Sequence, residues 1–597
     1  MTLAPDLKKL AKLIRYYILI STTAAGSGHP TTALSATDIM TVLMFGGFFK
    51  KEDRLIFSKG HASPLFYSLY AAGGVITEEE LLTLRKFGSR LEGHPTMEFP
   101  YTEIPTGSLG QGLSAGIGMA LAGARTFVLL GDSEVAEGSN WEAMQIASFY
   151  KLDNLIGILD VNRLGQSRET MLGYDIATYQ KRISSFGWET IVLEDGHNLT
   201  KITNAFKKAV KVRGKPVMLI AKTKKGKGIS FLEDKPGWHG KVLSKEDLEK
   251  ALAELGKVDK NIRGKIQLPS RVQNSEFRVQ NENKKVNYSL GEMIATRKAY
   301  GNALVRIFPK YPQMVVMDAE TSNSTYSELF AKAYPKNYFE MFIAEQNMAG
   351  VALGFARMGK IPFISTFAAF FTRAFDQIRM AQYAQTNVKF CGSHAGVSIG
   401  EDGSSQMGLE DIAMFRSILG AVVLYPADAV SCEKLTEEAA KYNGIVYLRT
   451  TRNPLPVIYA NNEKFPIGGS KVLRKSSRDK VTVIGAGITL HETLKAYDIL
   501  KNQGILIRVI DLYSVCPLDL KTLHLTAKET NAIITVEDHH RGGGIGEAVA
   551  AALSDSGKTV YSLAVSKIPR SGKPDELLQY EGISASEIVR KVKKIEK

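Results

Sequence analysis

Residues 126–165 read TFVLLGDSEVAEGSNWEAMQIASFYKLDNLIGILDVNRLG. Two short apolar runs, Thr126 to Leu130 and Leu155 to Val161, flank a helical pattern from Gly138 to Tyr150. Runs this apolar suit strands buried on both faces, and strand–helix–strand alternation predicts a parallel sheet covered by helices. Gly131-Asp132-Ser133 follows the first run and Asn162 ends the second. Both polar groups therefore fall at the carboxyl edge of the sheet, where open α/β sheets bind ligands.

The alternation extends outward. Pro216 to Ala221 reads as a further strand of the same series. A second series follows residue 290, with Met314–Met317, Pro362–Ser365, Val388–Cys391, Ala421–Leu424 and Ile445–Leu448. A third begins near residue 480, with Val481–Ile484, Ile505–Ile510, Ala532–Val536 and Thr559–Leu563. Between the first two lies Gln267 to Ser289, polar and holding Asn274, Asn281, Asn283 and Asn287, which reads as a linker. Arg452 to Gly469, with its Pro and Asn residues, reads as a second connection. The expectation is an α/β protein of three domains, 1–265, 290–455 and 470–597, with 266–289 as the linker. A chain of 597 residues is too long for one core, and no short-period repeat marks it as a solenoid.

Composition narrows the class. Hydrophobic residues make up 44% and charged residues 23%, as in ordinary globular proteins. The most apolar stretch, Leu34 to Phe49, is broken by Asp38, Gly46 and Gly47, so no membrane span is expected. Lys8, Lys9, Lys12 and Arg15 precede only a short apolar patch, and Leu7, Leu10, Leu13 and Ile14 recur at helical spacing. This predicts an amphipathic first helix, not a signal peptide. Three cysteines, Cys391, Cys432 and Cys516, argue against a disulfide framework and suit a reducing, cytoplasmic setting. The net charge of +15 is spread along the chain. Without a polybasic block it suits phosphorylated small substrates, and neither nucleic acid nor membrane is an expected partner.

Asp132, Asn162 and the carbonyl of Leu164 offer oxygens to a hard divalent cation that bridges to phosphate. Taken alone, Asp132 serves equally well as a cap for the helix near Gly138. Thr106-Gly107-Ser108-Leu109-Gly110-Gln111-Gly112 opens a small-residue helix, Leu113 to Ala122. Such a glycine-rich entry cradles a diphosphate or simply permits close packing. Five of the ten histidines, His29, His61, His94, His239 and His394, sit beside Gly, Pro or Ser in expected loops. Imidazoles there bind sugar hydroxyls and move protons near neutral pH.

Several motifs in order resemble the transketolase family, closest to its animal-type members. They are Ser27 to Pro30, Ser58 to Ala62, Thr106 to Gly112, Gly131-Asp132, Asp160 to Gln166, Lys235 to Gly240, Ile343 to Met348, Ser365 to Gln377, Gly392 to Gly403, Val536 to His539 and Gly543 to Ala548. The resemblance covers nearly the whole chain. It implies a homodimer with thiamine diphosphate held between the first domain of one subunit and the second domain of its partner. Asp132, Asn162 and Leu164 would hold Mg²⁺ or Ca²⁺ on the diphosphate. His61, Gly107, Ser108, Leu109, Ser133, Lys225, Phe370 and Gln406 would line the cofactor. Glu345 would give a proton to the aminopyrimidine ring, a task suited to a dry site that favours the protonated carboxyl. Phe342, Ile343 and Met348 beside it point to such a site. His29, His94, His239 and Asp402 would contact substrate and move protons, while Arg297, Ser324, His394 and Arg452 would clamp its phosphate.

The implied reaction moves a two-carbon ketol unit from xylulose 5-phosphate to ribose 5-phosphate or erythrose 4-phosphate, in the non-oxidative pentose phosphate pathway. A dihydroxyacetone synthase, a 1-deoxyxylulose-5-phosphate synthase or a catalytically silent relative are the competing readings. The chain departs from the family in having Ser133 where Gly is usual, a Cβ that strains any turn needing positive φ. Phe45 to Arg54 and Leu121 to Phe127 are shorter than in the relatives it resembles, and Arg168 to Met171 differs.

Overall fold

The structure, a computed structural model, describes residues 4–270 and 285–597. In the first sheet Arg54–Phe57, Thr126–Gly131, Leu155–Val161, Val217–Lys222 and Glu189–Leu193 lie side by side in that order, all parallel. The three central strands are buried almost throughout, which demands helices on both faces. A seven-stranded sheet runs Ser514–Cys516, Val422–Leu424, Val446–Arg449, Lys389–Ser393, Ile361–Phe367, Met314–Asp318, Tyr338–Glu340, parallel except at Ser514–Cys516. The third sheet runs Lys471–Arg474, Ile507–Asp511, Val481–Gly485, Ala532–His540, Thr559–Val565, with only Lys471–Arg474 antiparallel.

Every apolar run expected as a strand forms one. Several extend further at the carboxyl end, as in Met314–Asp318 and Ala532–His540. Polar residues there stay in the ladder although they end the hydropathy signal. The strands Arg54–Phe57, Glu189–Leu193 and Tyr338–Glu340 were not expected, although the first two carry short apolar runs, Leu55-Ile56-Phe57 and Ile191-Val192-Leu193. Leu34 to Phe49 resolves into a helix, Pro30–Phe45, buried at every residue. The first helix, Ala4–Ala25, buries Leu7, Leu10, Leu13 and Ile14 as its spacing requires. Among the described residues no helix is long and apolar enough to cross a membrane.

The chain packs as two compact units, residues 1–273 with 350–359, and residues 274–349 with 360–597. The first contains the five-stranded parallel sheet, and the second contains the other two large sheets. Within the second unit the segment read as a connection, Arg452 to Gly469, contributes a strand, Pro454–Pro456, paired antiparallel with Met293–Ala295. Of the expected linker, residues 271–284 lie outside the described residues. Its last residues are packed: Val286 is buried and the Tyr288 hydroxyl donates to Glu433 at 2.7 Å.

Candidate active site

In the first unit, the carboxyl edge of the sheet gathers charge in a dry place. Asp132 accepts the Ser133 N–H at 2.9 Å and the Arg163 N–H at 2.6 Å. Burial, and then the neighbouring Asp160 carboxylate, push its acid up to about 6, against the pull of Lys59. It does not cap the helix Gly138–Phe149, whose N-cap is Glu137. Asp160 is fully buried and ion-paired with Lys59 at 2.6 Å. The Asn162 amide donates to Asp160 at 3.2 Å and its oxygen accepts the Leu164 N–H at 3.3 Å. The Leu164 carbonyl accepts the Lys225 ammonium at 2.6 Å, and the same ammonium reaches Gly165 O at 3.2 Å and His239 Nδ1 at 2.7 Å. Burial and Lys59 bring Lys225 down to about 8.

These donors fit a hard cation shared with an anionic ligand once the Lys225 ammonium gives up the Leu164 carbonyl. Asp132, Asn162 and Leu164 supply oxygen only, and only one of them is charged. Among the described residues no three His, Cys, Asp or Glu side chains converge as a metal cage. A divalent ion would therefore take its remaining ligands from phosphate oxygens and water. Ser133 has φ −67° and ψ −37°. The position is right-handed, so the expected strain at Ser133 is absent. A cavity of about 660 Å³ opens beside it, lined by Asp132, Ser133, Trp141, Gln166, Tyr179 and Arg182. Arg168 to Met171, where the sequence departs from the family, also lies on this wall.

The histidines of this unit converge. His29 lies 5.4 Å from His61, 5.2 Å from His239 and 6.3 Å from His94 between ring centroids, and His61 lies 5.2 Å from His239. Burial is the largest cause in lowering all four. Arg85 adds to it at His29 and His94, Lys225 at His239 and Lys59 at His61, which leaves His29 at about 4 and His239 at about 3. His29 and His239 are thus neutral hydrogen-bonding groups at pH 7, not titrating near neutrality as their free pKa had suggested, and burial moves His61 and His94 in the same direction. His29 Nδ1 is buried without a hydrogen-bond partner among the described residues. Gly107, with φ +137°, lies so close to His94 that a Cβ would sit 2.9 Å from the ring. Ser108 and Leu109 follow it, half-buried. Gly112 meets Ser58 in the same way at 2.5 Å, so the glycine-rich entry does serve close packing.

In the second unit, Glu345 opens the helix Glu345–Arg357 and is 3% exposed. Its carboxylate is met by the Arg373 guanidinium at 3.2 Å to each oxygen. The apolar enclosure expected around it is only partial, because Met348 is buried but Ile343 is 67% exposed. Phe370 stacks on Phe367 at 5.1 Å, and Phe367 stacks on His394 at 3.8 Å. Arg373 lies 5.5 Å over Phe370, so one chain of contacts links Glu345, Phe370 and His394.

The expected phosphate clamp is also contiguous. Arg297 donates to the carbonyls of Ser324 at 2.8 Å and Arg452 at 3.0 Å. Burial, then Arg297 and Arg452, lower His394 to about 3. Asp402 lies 3.4 Å from the Arg452 guanidinium. Gln406 is half-buried at the end of the turn Ser404–Gln406, where its N–H donates to Gly403 O at 3.2 Å.

Lys59, Asp160 and Arg85 were missed by the sequence reading. Lys59 and Asp160 fall inside the motifs Ser58 to Ala62 and Asp160 to Gln166 but were given no role there; Arg85, bonded to Ser27 Oγ at 2.7 Å, lies in none.

Three family models match the chain. "Transketolase, thiamine diphosphate binding domain" covers residues 7–306, "Transketolase, pyrimidine binding domain" 292–457, and "Transketolase, C-terminal domain" 470–588. The chain is 49% identical to mouse transketolase-like protein 2 and 47% identical to human transketolase, each over 98% of this chain and 97% of the relative. The crystal structure of a Campylobacter jejuni transketolase superposes with a TM-score of 0.87 at 25% identity, covering 100% of both chains.

Proposed function

The chain belongs to the transketolase family, and from that premise we propose that it is an active glycolaldehyde transferase using thiamine diphosphate and Mg²⁺ or Ca²⁺. It would move a two-carbon ketol unit from xylulose 5-phosphate to ribose 5-phosphate or erythrose 4-phosphate, in the cytoplasmic non-oxidative pentose phosphate pathway. The supporting observation is the edge of the first sheet, which carries the Asp132, Asn162 and Leu164 oxygens, the Lys225 ammonium and four clustered imidazoles. Three free cysteines accord with a reducing compartment.

Bound thiamine diphosphate supplies the electron sink for carbon–carbon cleavage, and the protein orients and stabilises. Asp132, Asn162 and the Leu164 carbonyl would hold the cation. His61, Gly107, Ser108, Leu109, Ser133, Lys225, Phe370 and Gln406 would line the cofactor. Glu345, now paired with Arg373, would be the carboxyl that holds a proton toward the cofactor's aminopyrimidine ring. His29, His94, His239 and Asp402 orient substrate hydroxyls and pass protons between them. Arg297, Ser324, His394 and Arg452 take the phosphate; the bonds of Arg297 to carbonyl oxygens leave its charge for an anion. We assign residues 1–265 to the diphosphate and metal domain, 290–455 to the pyrimidine domain and 470–597 to the C-terminal domain, joined by 266–289. Two copies form a homodimer in which each completes the other's site.

Turnover of xylulose 5-phosphate with ribose 5-phosphate, with and without thiamine diphosphate and Mg²⁺, tests the proposal alongside Glu345→Ala. Cofactor-dependent sedoheptulose 7-phosphate is expected, with kcat reduced by about 10²–10⁴ in the variant. Cofactor binding without turnover would leave a silent relative, and absence of cofactor binding would remove the proposal.

A further inference from the structure

Lys225 stands in a short turn whose two flanks are both fastened to one buried group. Arg15 and Asp38 are paired through two hydrogen bonds of 3.0 and 2.6 Å, with side chains 10% and 8% exposed. His197 Nδ1 meets the same Asp38 carboxylate at 2.8 Å. Asp38, on an all-buried helix, is raised by burial but brought down to about 2 by Arg15 and His197, so it stays charged. From this group two arms reach out. His197 Nε2 accepts the Lys224 N–H at 2.9 Å, and Arg15 Nε donates to the Lys227 carbonyl at 3.1 Å. The ring that accepts at Nε2 must carry its proton on Nδ1, where the carboxylate receives it. Between the arms, the Gly226 N–H donates to Thr31 O at 2.9 Å, and the Thr31 hydroxyl donates to the Trp238 carbonyl at 2.8 Å.

We infer that Arg15, Asp38 and His197 form a positioning triad that sets the Lys225 ammonium onto the carbonyls of Leu164 and Gly165 and the ring of His239. None of the three is placed among the cofactor or substrate contacts. A lysine side chain has four rotatable bonds and strong hydration, so it does not remain 2% exposed unless its backbone is fixed. The consequence for cofactor binding rests on the reading that Lys225 lines the diphosphate; the geometry of the turn does not.

The test uses the full-length, cofactor-free chain. An amine-acylating reagent at pH 8, read by peptide mass spectrometry, reports the protection of Lys225 in wild type, His197→Phe, His197→Gln and Arg15→Lys. Buried Lys389, in the other unit, serves as internal control. Circular dichroism confirms folding. The expected result is that Lys225 acylation accelerates about tenfold or more in His197→Phe and in Arg15→Lys, with Lys389 unchanged. His197→Gln, whose amide oxygen can accept the Lys224 N–H, should restore protection. If His197→Phe fails to fold, Arg15→Lys decides, because it keeps the charge beside Asp38 and loses the Lys227 contact. Folded variants that protect Lys225 as well as wild type would overturn the inference. Calorimetry with thiamine diphosphate and Mg²⁺ separates the two readings. Dissociation constants weaker by about 10–100-fold in the accelerated variants are expected for a supporting residue. A wild type that binds no cofactor, yet loses Lys225 protection in these variants, would leave the triad standing and remove the proposed function.

Discussion

Four imidazoles with centroids 5.2–6.3 Å apart, facing Lys225 and Arg85, cannot all carry charge. With His29 at about 4 and His239 at about 3, both rings are neutral across the physiological range. Their pKa values are lower in the folded than in the unfolded chain, so the contribution of these two rings to folding stability should rise as pH climbs from about 4 toward 6.5 and level off above it. His29→Gln is expected to lower kcat/KM by about 10²-fold while leaving the shape of the profile between pH 6 and 8 unchanged. An acid limb in that window that disappears with His29 would contradict the neutral reading. Arg297 makes a separate claim. Arg297→Ala should raise KM for the phosphorylated ketose by about 10–100-fold with little change in kcat, and should hardly affect an unphosphorylated ketose donor. Steady-state kinetics on both donors gives the answer. Asp132 and Asn162 were legible in the sequence because a polar residue ending an apolar run lands at the sheet edge. Arg85 was not, because its loop places it by tertiary packing alone.

At the level of elements, hydropathy reported the strands it could. Central strands such as Leu155–Val161 are buried throughout and show as long unbroken runs, whereas Glu189–Leu193 at the sheet edge runs from exposed Glu189 to buried Leu193 and shows only the three apolar residues Ile191-Val192-Leu193. The pattern also hides where a strand ends, and the third sheet gives a case with a measurable cost. Asp511 ends Ile507–Asp511 fully buried; one oxygen accepts the Tyr459 hydroxyl at 2.6 Å and the other has no partner among the described residues. Burial, then Asp428, push its acid up to about 7. The folded state therefore binds a proton that the unfolded state releases, and ionisation opposes folding increasingly from about pH 4 up to 7. Asp511→Asn keeps an acceptor for Tyr459 and removes the charge. It should stabilise the chain by on the order of 2 kcal/mol at pH 8 and by nothing near pH 4. Thermal melts of both proteins across that range check it, and a stability difference independent of pH would show that the carboxylate is not the cause.

For the molecule as a whole, the candidate residues fall into two sets carried by different units. Asp132, Lys225 and the four clustered histidines belong to the first, and Glu345, Phe370, His394 and the arginine clamp to the second. Sequence motifs named both sets: Asp132, Asn162 and His394 sit at or just after the carboxyl end of a parallel strand, whereas His29 and His94 stand in loops after helices and were named by the family resemblance. That the two halves come from different chains is implied by the family resemblance alone, since it depends on assembly and not on any local pattern. The proposed homodimer makes a quantitative commitment here. If every site takes its first set from one chain and its second from the partner, Asp132→Ala and Glu345→Ala homodimers are each inactive at both sites. A mixed dimer has one site bearing both defects and one bearing neither. Unfolding, mixing and refolding the two variants in equal amounts should therefore restore about a quarter of wild-type activity, from half the dimers with one of two sites intact. Sedimentation would confirm that the refolded species is dimeric. Recovery near that fraction requires exchange of halves between chains. A dimeric mixture that stays inactive would mean that each chain carries both sets for its own site, and the intersubunit arrangement would be abandoned.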